Sequence, residues 1–237
     1  MSLARIDPWF ILLPALMSAT FIGLWLTTSL HANTAEHQRF AALPLVQESD
    51  GVDLLLIPRG SITTADGRML SIARSVLLGR SEVTQATWNT VMAHNPSRER
   101  GDHLPVEWVS WDDCQEFIRR LSLRHGRTYR LPSEDEWAYA CHAGSRAGSF
   151  DGARETYVHA RALAPADACP ANAWGLRGMH GNAWEWCADI LPDGQRVMRG
   201  GSCNLYPVWC PPDDRLSYPA GFHHERRGLR LALDLTD

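Results

Sequence analysis

Three stretches near the C-terminus decide the fold of this chain: Gly175–Cys187 (GLRGMHGNAWEWC), Arg196–Ser202 (RVMRGGS) and Arg227–Leu233 (RGLRLAL). They are rich in glycine, which is the residue of choice where a backbone turns sharply or approaches another segment closely. A Trp-Glu-Trp triplet places one carboxylate, that of Glu185, between two large rings. The stretches therefore predict a core built from tight turns, tryptophan packing and a few polar anchors.

The overall composition indicates a single globular domain. With 237 residues, 45% of them hydrophobic and 21% charged, the chain is long enough for one domain with a sizeable core. The formal net charge of −4, without a basic stripe, argues against nucleic acid as a partner. Ten tryptophans are far more than usual. We expect them to fill the core; the alternative is a stacking platform for a ligand.

The N-terminal segment has the layout of a secretory signal. Arg5 precedes an apolar run, Trp9–Leu26, and a polar stretch follows. The run also approaches the length of a membrane-spanning helix. We therefore divide the chain into a signal peptide or membrane anchor at residues 1–35, a polar linker at 36–50 and a folded domain at 51–237. Under both interpretations the domain is exported to the periplasm or envelope. Any association with the membrane is expected to come through the N-terminus.

The cysteine content fits an exported protein. An even number of cysteines in such a chain predicts disulfides, and six allow 15 complete pairings. No C-x-x-C spacing occurs, so a structural zinc site is not predicted. The six are Cys114, Cys141, Cys169, Cys187, Cys203 and Cys210.

The pattern of caps and apolar residues predicts an α+β domain with two or three short helices and little regular secondary structure. Thr84 is a good helix N-cap, and Ser110–Asp113 and Ser133–Glu136 both have the form of a capping box. Val52–Pro58 is a short apolar run typical of a strand. Beyond Gly144, helix and strand periodicity both fade, which predicts a loop-rich second half.

Six motifs in a fixed order resemble the formylglycine-generating enzyme family, also called the sulfatase-modifying factor family. The resemblance implies a C-type-lectin-like fold over nearly all of the exported part. The first four motifs are Ile57–Ser61 (IPRGS), Ser81–Trp88 (SEVTQATW), Pro105–Asp113 (PVEWVSWDD) and Arg130–Cys141 (RLPSEDEWAYAC), and the others are the G-N-x-W-E-W and R-G-G-S motifs of the C-terminal stretches.

Enzymes of this family oxidise a substrate cysteine to formylglycine with molecular oxygen. They hold Cu(I) between two cysteines, three and eight residues beyond the serine of R-G-G-S, because soft thiolates suit Cu(I). Here Ser202 matches that serine and Cys210 the second cysteine, but Leu205 occupies the first position. The resemblance therefore argues against copper. Cys203 as a substitute ligand is an alternative, although its sulfur would lie two residues away along the chain.

The rest of the family's active-site region is also altered. Trp186 and Ser202 are kept, Trp209 replaces a tyrosine, and Arg226 stands where the enzymes carry an asparagine. Trp186 and Ser202 also fit a purely structural role. Together with Leu205 and Cys210 these positions form a degenerate active-site region in which no catalytic residue is assigned.

The resemblance also implies a calcium site. The family uses the glutamate of W-E-W together with backbone carbonyls, a set of hard oxygen ligands that suits Ca²⁺. The alternative is that the carboxylate pairs with an arginine, Arg199 or Arg230. The corresponding calcium positions are His180, Gly181, Ala183 and Glu185.

Two expectations concern the region around the missing copper ligand. The resemblance places the residue after W-E-W near the second family cysteine, which implies a Cys187–Cys210 disulfide. The segment from Leu205 to Arg227 replaces the wall that holds the enzymes' substrate. Its candidates for partner binding are Tyr218, Phe222 and Arg226, of residue types enriched at binding hot spots; the alternative is that the aromatic ones fill the core.

These features predict an exported, non-catalytic protein that binds another protein in the cell envelope. The resemblance suggests one such role, that of a regulator upstream of a transmembrane threonine kinase that triggers type VI secretion. The alternative is a copper-dependent oxidase that generates formylglycine in sulfatases. A third hypothesis is a lectin-like receptor with an aromatic cleft.

Overall fold

The computed structural model describes residues 43–64, 66–144, 162–202 and 214–235. This part of the chain forms three α-helices, which are α1 (Gln85–Val91), α2 (Trp111–His125) and α3 (Glu134–His142). Its eleven strands are β1 (Leu45–Gln47), β2 (Asp53–Ile57), β3 (Gly60–Thr63), β4 (Met69–Ile72), β5 (Val76–Gly79), β6 (Tyr129–Arg130), β7 (Trp184–Ile190), β8 (Arg196–Arg199), β9 (Arg215–Tyr218), β10 (Arg227–Leu229) and β11 (Ala232–Asp234). The predicted α+β class with two or three short helices is confirmed, and the number in the described chain is three.

The three helices begin where the sequence predicted. The Thr84 side chain accepts a hydrogen bond from a backbone N–H of the first turn of α1. Ser110 and Ser133 each form a complete capping box, with Asp113 and Glu136 as the third residues of α2 and α3. Each box satisfies two backbone N–H groups that a helix start leaves without partners.

A five-stranded sheet contains strands from both the beginning and the end of the folded domain. Its strand order is β1-β2-β5-β11-β6, and all of its pairs are antiparallel. Strand β1 lies within the segment 36–50 that the sequence suggested as a linker, so the folded domain begins before residue 51. A separate hairpin, β3-β4, follows β2.

The second sheet lies within the part of the chain for which the sequence predicted loops, whereas residues 162–183 contain no helix or strand. The sheet has the order β10-β7-β8-β9, with β7 and β10 parallel and the other pairs antiparallel. The first four residues of β7, Trp184 to Cys187, are all buried. A strand that is buried on both faces has no solvent-exposed side, so the polar residue of β7, Glu185, does not reveal the strand in the sequence.

The main core connects both sheets to α1 and α2. It contains Trp184 and Trp186 of β7 and a stacked pair, Trp88 and Phe117, whose ring centroids are 4.9 Å apart. Trp88, Trp137 and Trp186 are among the largest fully buried side chains. Most of the tryptophans in the described chain therefore fill the core, as expected.

No helix within the described ranges is long and apolar enough to cross a membrane. The segment 1–35, expected to be a signal peptide or anchor, lies outside those ranges.

Candidate functional site

Glu185 forms a buried ion pair with Arg230. Both side chains are fully buried, and the Arg230 guanidinium donates from Nη2 to Oε1 at 2.6 Å and from Nε to Oε2 at 2.9 Å. The indole N–H of Trp137 on α3 also donates to Oε2, at 2.5 Å. Arg230 further donates to the backbone carbonyls of Gly79 and Arg177. Of the alternatives for Glu185, the structure shows the pairing with Arg230.

This ion pair does not fit the calcium site implied by the resemblance. Both Glu185 oxygens already accept hydrogen bonds from cationic or N–H groups, and a Ca²⁺ ion at these oxygens would lie against the Arg230 guanidinium. The side chain of His180 faces the Cys141 thiol, with Nε2 3.5 Å from Sγ. In the described ranges no three His, Cys, Asp or Glu side chains gather into a metal-binding group. The Glu185 carboxylate is therefore engaged by Arg230 and Trp137, whereas the ligands expected from His180, Gly181 and Ala183 are backbone carbonyls, and calcium binding there stays a prediction.

A second buried carboxylate, Glu82, lies beside the same ion pair. Its Oε1 accepts from Nδ2 of Asn182 at 2.9 Å, whereas its Oε2 has no hydrogen-bond partner among the described residues. Burial, and then the charge of Glu185, raise the pKa of Glu82 to about 8, while Arg230 opposes the shift. The single positive charge of Arg230 thus interacts with both Glu185 and Glu82. Because Glu82 is protonated near neutral pH, the charges of Arg230 and Glu185 balance each other.

The degenerate active-site region is only partly described. Trp186 is fully buried, and its indole N–H donates to the carbonyl of Val109 at 3.0 Å. Ser202 is also buried. Leu205, Trp209 and Cys210, which decide the copper question in the sequence, lie outside the described residues. The contacts of Trp186 are those of a core residue.

The disulfide expected between Cys187 and Cys210 stays a prediction, because Cys210 lies outside the described residues. Among the described residues, Cys114, Cys169 and Cys187 form no disulfide. Cys187 is fully buried on β7, and burial raises the pKa of its thiol well above the usual range. A thiol in this position is protonated and shielded from solvent.

The connection from β9 to β10 carries a stack of rings on the surface. Tyr218 and Phe222 are parallel, with centroids 4.4 Å apart and planes inclined by 5°. His224 follows at 5.9 Å from Phe222, and Trp108 at 6.0 Å from His224. An arginine closes each end of this aromatic ladder. Its six members are Arg98, Trp108, His224, Phe222, Tyr218 and Arg227.

The two arginines of the ladder lie against its rings. The Arg98 guanidinium carbon is 3.7 Å from the Trp108 centroid. The guanidinium carbon of Arg227 is 4.9 Å from the Tyr218 centroid and 5.4 Å from that of Phe222. Such cation–π contacts hold both cations on ring faces.

The buried carboxylate of Glu107 holds the ladder together. Oε1 accepts from the backbone N–H of Arg98 at 2.5 Å, and Oε2 accepts from that of Arg226 at 2.8 Å. Glu107 is 2% exposed, so these charge-assisted hydrogen bonds are shielded from water. One carboxylate thereby fixes the loop before α2 to the loop before β10.

Two residues next to Glu107 have backbone conformations that are rare for side chains of their size. Trp108 has a φ of 65° and Arg226 a φ of 58°. Arg226 is also held by an ion pair to Glu99 at 2.9 Å, and its carbonyl accepts from the backbone N–H of Trp184 at 2.8 Å. Such strain persists only where the surroundings enforce it, and it concentrates at functional sites.

The structure brings together part of the predicted partner-binding set. Tyr218 and Phe222 stack on each other and are half-buried, whereas Arg226 is fixed within the loops behind them. Sequence reasoning missed Arg98, Trp108, His224 and Arg227 as members of the same surface. Trp108 lies within a family motif, but neither its left-handed backbone nor its contact with a loop more than a hundred residues away can be deduced from the motif.

Comparison with known proteins identifies the family. Residues 34–235 match the sulfatase-modifying factor enzyme 1-like domain. The bovine formylglycine-generating enzyme (Bos taurus) is 30% identical over 148 residues, which cover 47% of this chain and 38% of the bovine protein. The inactive C-alpha-formylglycine-generating enzyme 2 of Mus musculus is 30% identical over 142 residues, covering 51% and 44%. The matched stretches therefore span under half the length of either relative.

A solved structure supports the fold. Treponema denticola variable protein 1 superimposes with a TM-score of 0.67 at 21% identity, covering 80% of this chain and 98% of that one. At this level of identity the similarity concerns the fold, and it confirms the expected fold class.

Proposed function

The chain belongs to the sulfatase-modifying factor family, and we propose that it is a non-catalytic member that acts by binding another protein in the cell envelope. The observation that carries this proposal is Leu205, which stands where the enzymes have a copper-binding cysteine. The family contains curated relatives named as inactive, such as the mouse protein. The fixed aromatic ladder supports binding as the function, because its residue types are those of interface hot spots.

The proposal places the domain outside the cytoplasm. It is supported by the apolar run Trp9–Leu26 after Arg5, which has the layout of an export signal or anchor. Regulation of type VI secretion through a transmembrane threonine kinase is the specific role that we propose within the envelope. It rests on the resemblance to exported members of the family without the copper pair.

We expect the purified protein to show no formylglycine-generating activity. A peptide with the sulfatase motif C-x-P-x-R is incubated with the protein, Cu(I) and oxygen. Mass spectrometry then shows whether the mass of the peptide changes through conversion of its cysteine. A formylglycine-generating enzyme with both cysteines provides the positive control. Turnover by this protein that disappears in the Cys210→Ser variant would establish the alternative, a copper-dependent oxidase.

We expect alanine at Tyr218 or Phe222 to abolish partner binding, with little change in melting temperature for Phe222→Ala and a moderate decrease for Tyr218→Ala, because Tyr218 packs against the main core. Both rings are half-buried in the surface stack, but Tyr218 also packs against the main core, so only the loss of the Phe222 ring removes contact area without disturbing that core. The matched control is Phe117→Ala, because Phe117 is fully buried and its truncation should cost about 3–5 kcal/mol of the free energy of unfolding. The measurements are thermal melting and in vivo crosslinking to the partner.

If both surface variants melt as early as Phe117→Ala, the rings belong to the core. If both keep full crosslinking, the partner binds elsewhere. Either outcome contradicts a binding role for this surface.

A further inference from the structure

We infer that the aromatic ladder is a docking site for an acidic, apolar peptide segment of a partner protein. This inference rests on the proposed function and specifies the chemistry of the partner. It follows from the charges of the ladder, from the carboxylates around it and from the rigidity of its backbone.

The two arginines of the ladder have no carboxylate partner among the described residues. Arg227 is 7% exposed; its Nη1 donates to the carbonyl of Glu225 at 3.0 Å, and its Nε has no hydrogen-bond partner in the described chain. Arg98 is exposed, and its guanidinium contacts the face of Trp108. Buried charges are normally compensated by an opposite charge. The ladder therefore carries uncompensated positive charge at both ends.

Three of the carboxylates around this surface, those of Glu99, Glu107 and Asp113, already have other partners. Glu107 accepts two backbone hydrogen bonds, and Glu99 pairs with Arg226. Asp113 accepts from the cap residue of α2 and contacts His223 at 2.8 Å. The two remaining acids of the rim, Asp112 and Glu225, form no side-chain ion pair with either ladder arginine within the described chain. A carboxylate supplied by another molecule is thus the complementary group.

The ladder is rigid before any partner arrives. Trp108 is held at a positive φ that a bulky residue rarely adopts, and Glu107 fixes the backbone on both sides of the stack. A site fixed in advance loses little conformational entropy on binding. The strained conformation of Trp108 thus presents a pre-organised ring to the partner.

The expected arrangement follows from these groups. A carboxylate of the partner receives two parallel hydrogen bonds from the exposed Arg98 guanidinium. Apolar side chains farther along the partner segment, beyond Trp108 and His224, pack on the half-buried edges of Phe222 and Tyr218. The positive charge of Arg227 behind these rings adds to the attraction for an acidic segment.

The test uses the full chain and three short fluorescent peptides. The peptides share leucine and phenylalanine at alternating positions and differ only in the residues between, which are Glu, Gln or Lys. We expect fluorescence anisotropy to show the Glu peptide binding about 10-fold more tightly than the Gln peptide, and the Lys peptide not binding. Equal affinities for the three peptides, or no binding of the Glu peptide, would overturn the inference.

Two arginines of one loop provide a matched pair of variants. Arg98→Ala should reduce the affinity for the Glu peptide to that for the Gln peptide, because the direct ligand of the carboxylate is lost. Arg100 is also exposed, but its guanidinium donates to the carbonyl of Asn95 and lies outside the ladder. Arg100→Ala should leave binding unchanged. Equal losses in both variants would indicate non-specific attraction and would refute a site at the ladder.

Two variants of Trp108 distinguish an effect on binding from an effect on folding. Glycine adopts a positive φ without strain, so the melting temperature of Trp108→Gly should be no lower than that of Trp108→Ala. Neither variant should bind the Glu peptide. The formylglycine assay and partner crosslinking test the proposed function independently. If the partner crosslinks to a surface remote from the ladder, the inference fails while the proposed function stands.

Discussion

Replacement of Arg230 by methionine is expected to cost about 3–5 kcal/mol of the free energy of unfolding, because it leaves the Glu185 carboxylate buried without a counter-charge. The guanidinium makes two hydrogen bonds to Glu185 and two to backbone carbonyls, and both side chains are fully buried. Glu82 loses its nearest cation in the same variant. Urea unfolding followed by tryptophan fluorescence measures the loss.

Two control variants separate this explanation from a general effect of removing an arginine. Arg119 forms an ion pair with Glu116 on the solvent-exposed face of α2, so Arg119→Met should change the unfolding curve little. The double variant Glu185→Leu/Arg230→Met removes both charges, and it should recover much of the stability that Arg230→Met loses. A double variant as unstable as the single one would show that packing, rather than the unpaired carboxylate, dominates.

The second large effect is expected from Glu82, whose protonation stabilises the folded state. Its pKa is raised from 4.5 to about 8 in the folded protein, so the folded state binds the proton more tightly than the unfolded one. This stabilisation is complete at pH values below the pKa of Glu82 in the unfolded chain. It is lost as the pH rises through the pKa of Glu82 in the folded protein. By linkage the loss is on the order of 3 kcal/mol between about pH 5 and pH 8.

The Glu82→Gln variant isolates this contribution. Glutamine retains an acceptor for Asn182 and cannot ionise, so the variant should be more stable than the wild type at alkaline pH and nearly equal to it at pH 5. The measurement is the difference between the two free energies of unfolding across the pH range, which cancels the other titrating groups. Glu116→Gln, at an exposed pair, serves as the control. Parallel pH profiles for wild type and Glu82→Gln would contradict the assignment.

The helices of this fold could be predicted from the sequence because their signals are local. Ser110 and Asp113, or Ser133 and Glu136, lie three residues apart, and each pair satisfies the same two backbone groups. Strand β7 could not be recognised, since its first four residues are all buried and its polar residue, Glu185, does not mark a solvent-exposed face. The second sheet therefore could not be predicted from the sequence.

The candidate site was predictable only in part, for a related reason. Tyr218 and Phe222 are four residues apart and could be grouped from the sequence. Arg98 and Trp108 join them through Glu107, whose carboxylate bridges segments more than a hundred residues apart. The pairing of Glu185 with Arg230 was one of two alternatives that the sequence left open, because choosing between the arginines requires the packing of β7 against the chain after β10.

The position of β11 has a consequence for the order of events when the protein is made. This strand pairs with β5 on one side and with β6 on the other, so the last regular element of the described chain lies inside the five-stranded sheet. Since synthesis proceeds from the N-terminus, β5 and β6 remain unpaired at that position until residues 232–234 have left the ribosome. The five-stranded sheet is therefore completed only after synthesis has passed these residues. An unfinished chain has two open strand edges, which are templates for aggregation and binding sites for chaperones.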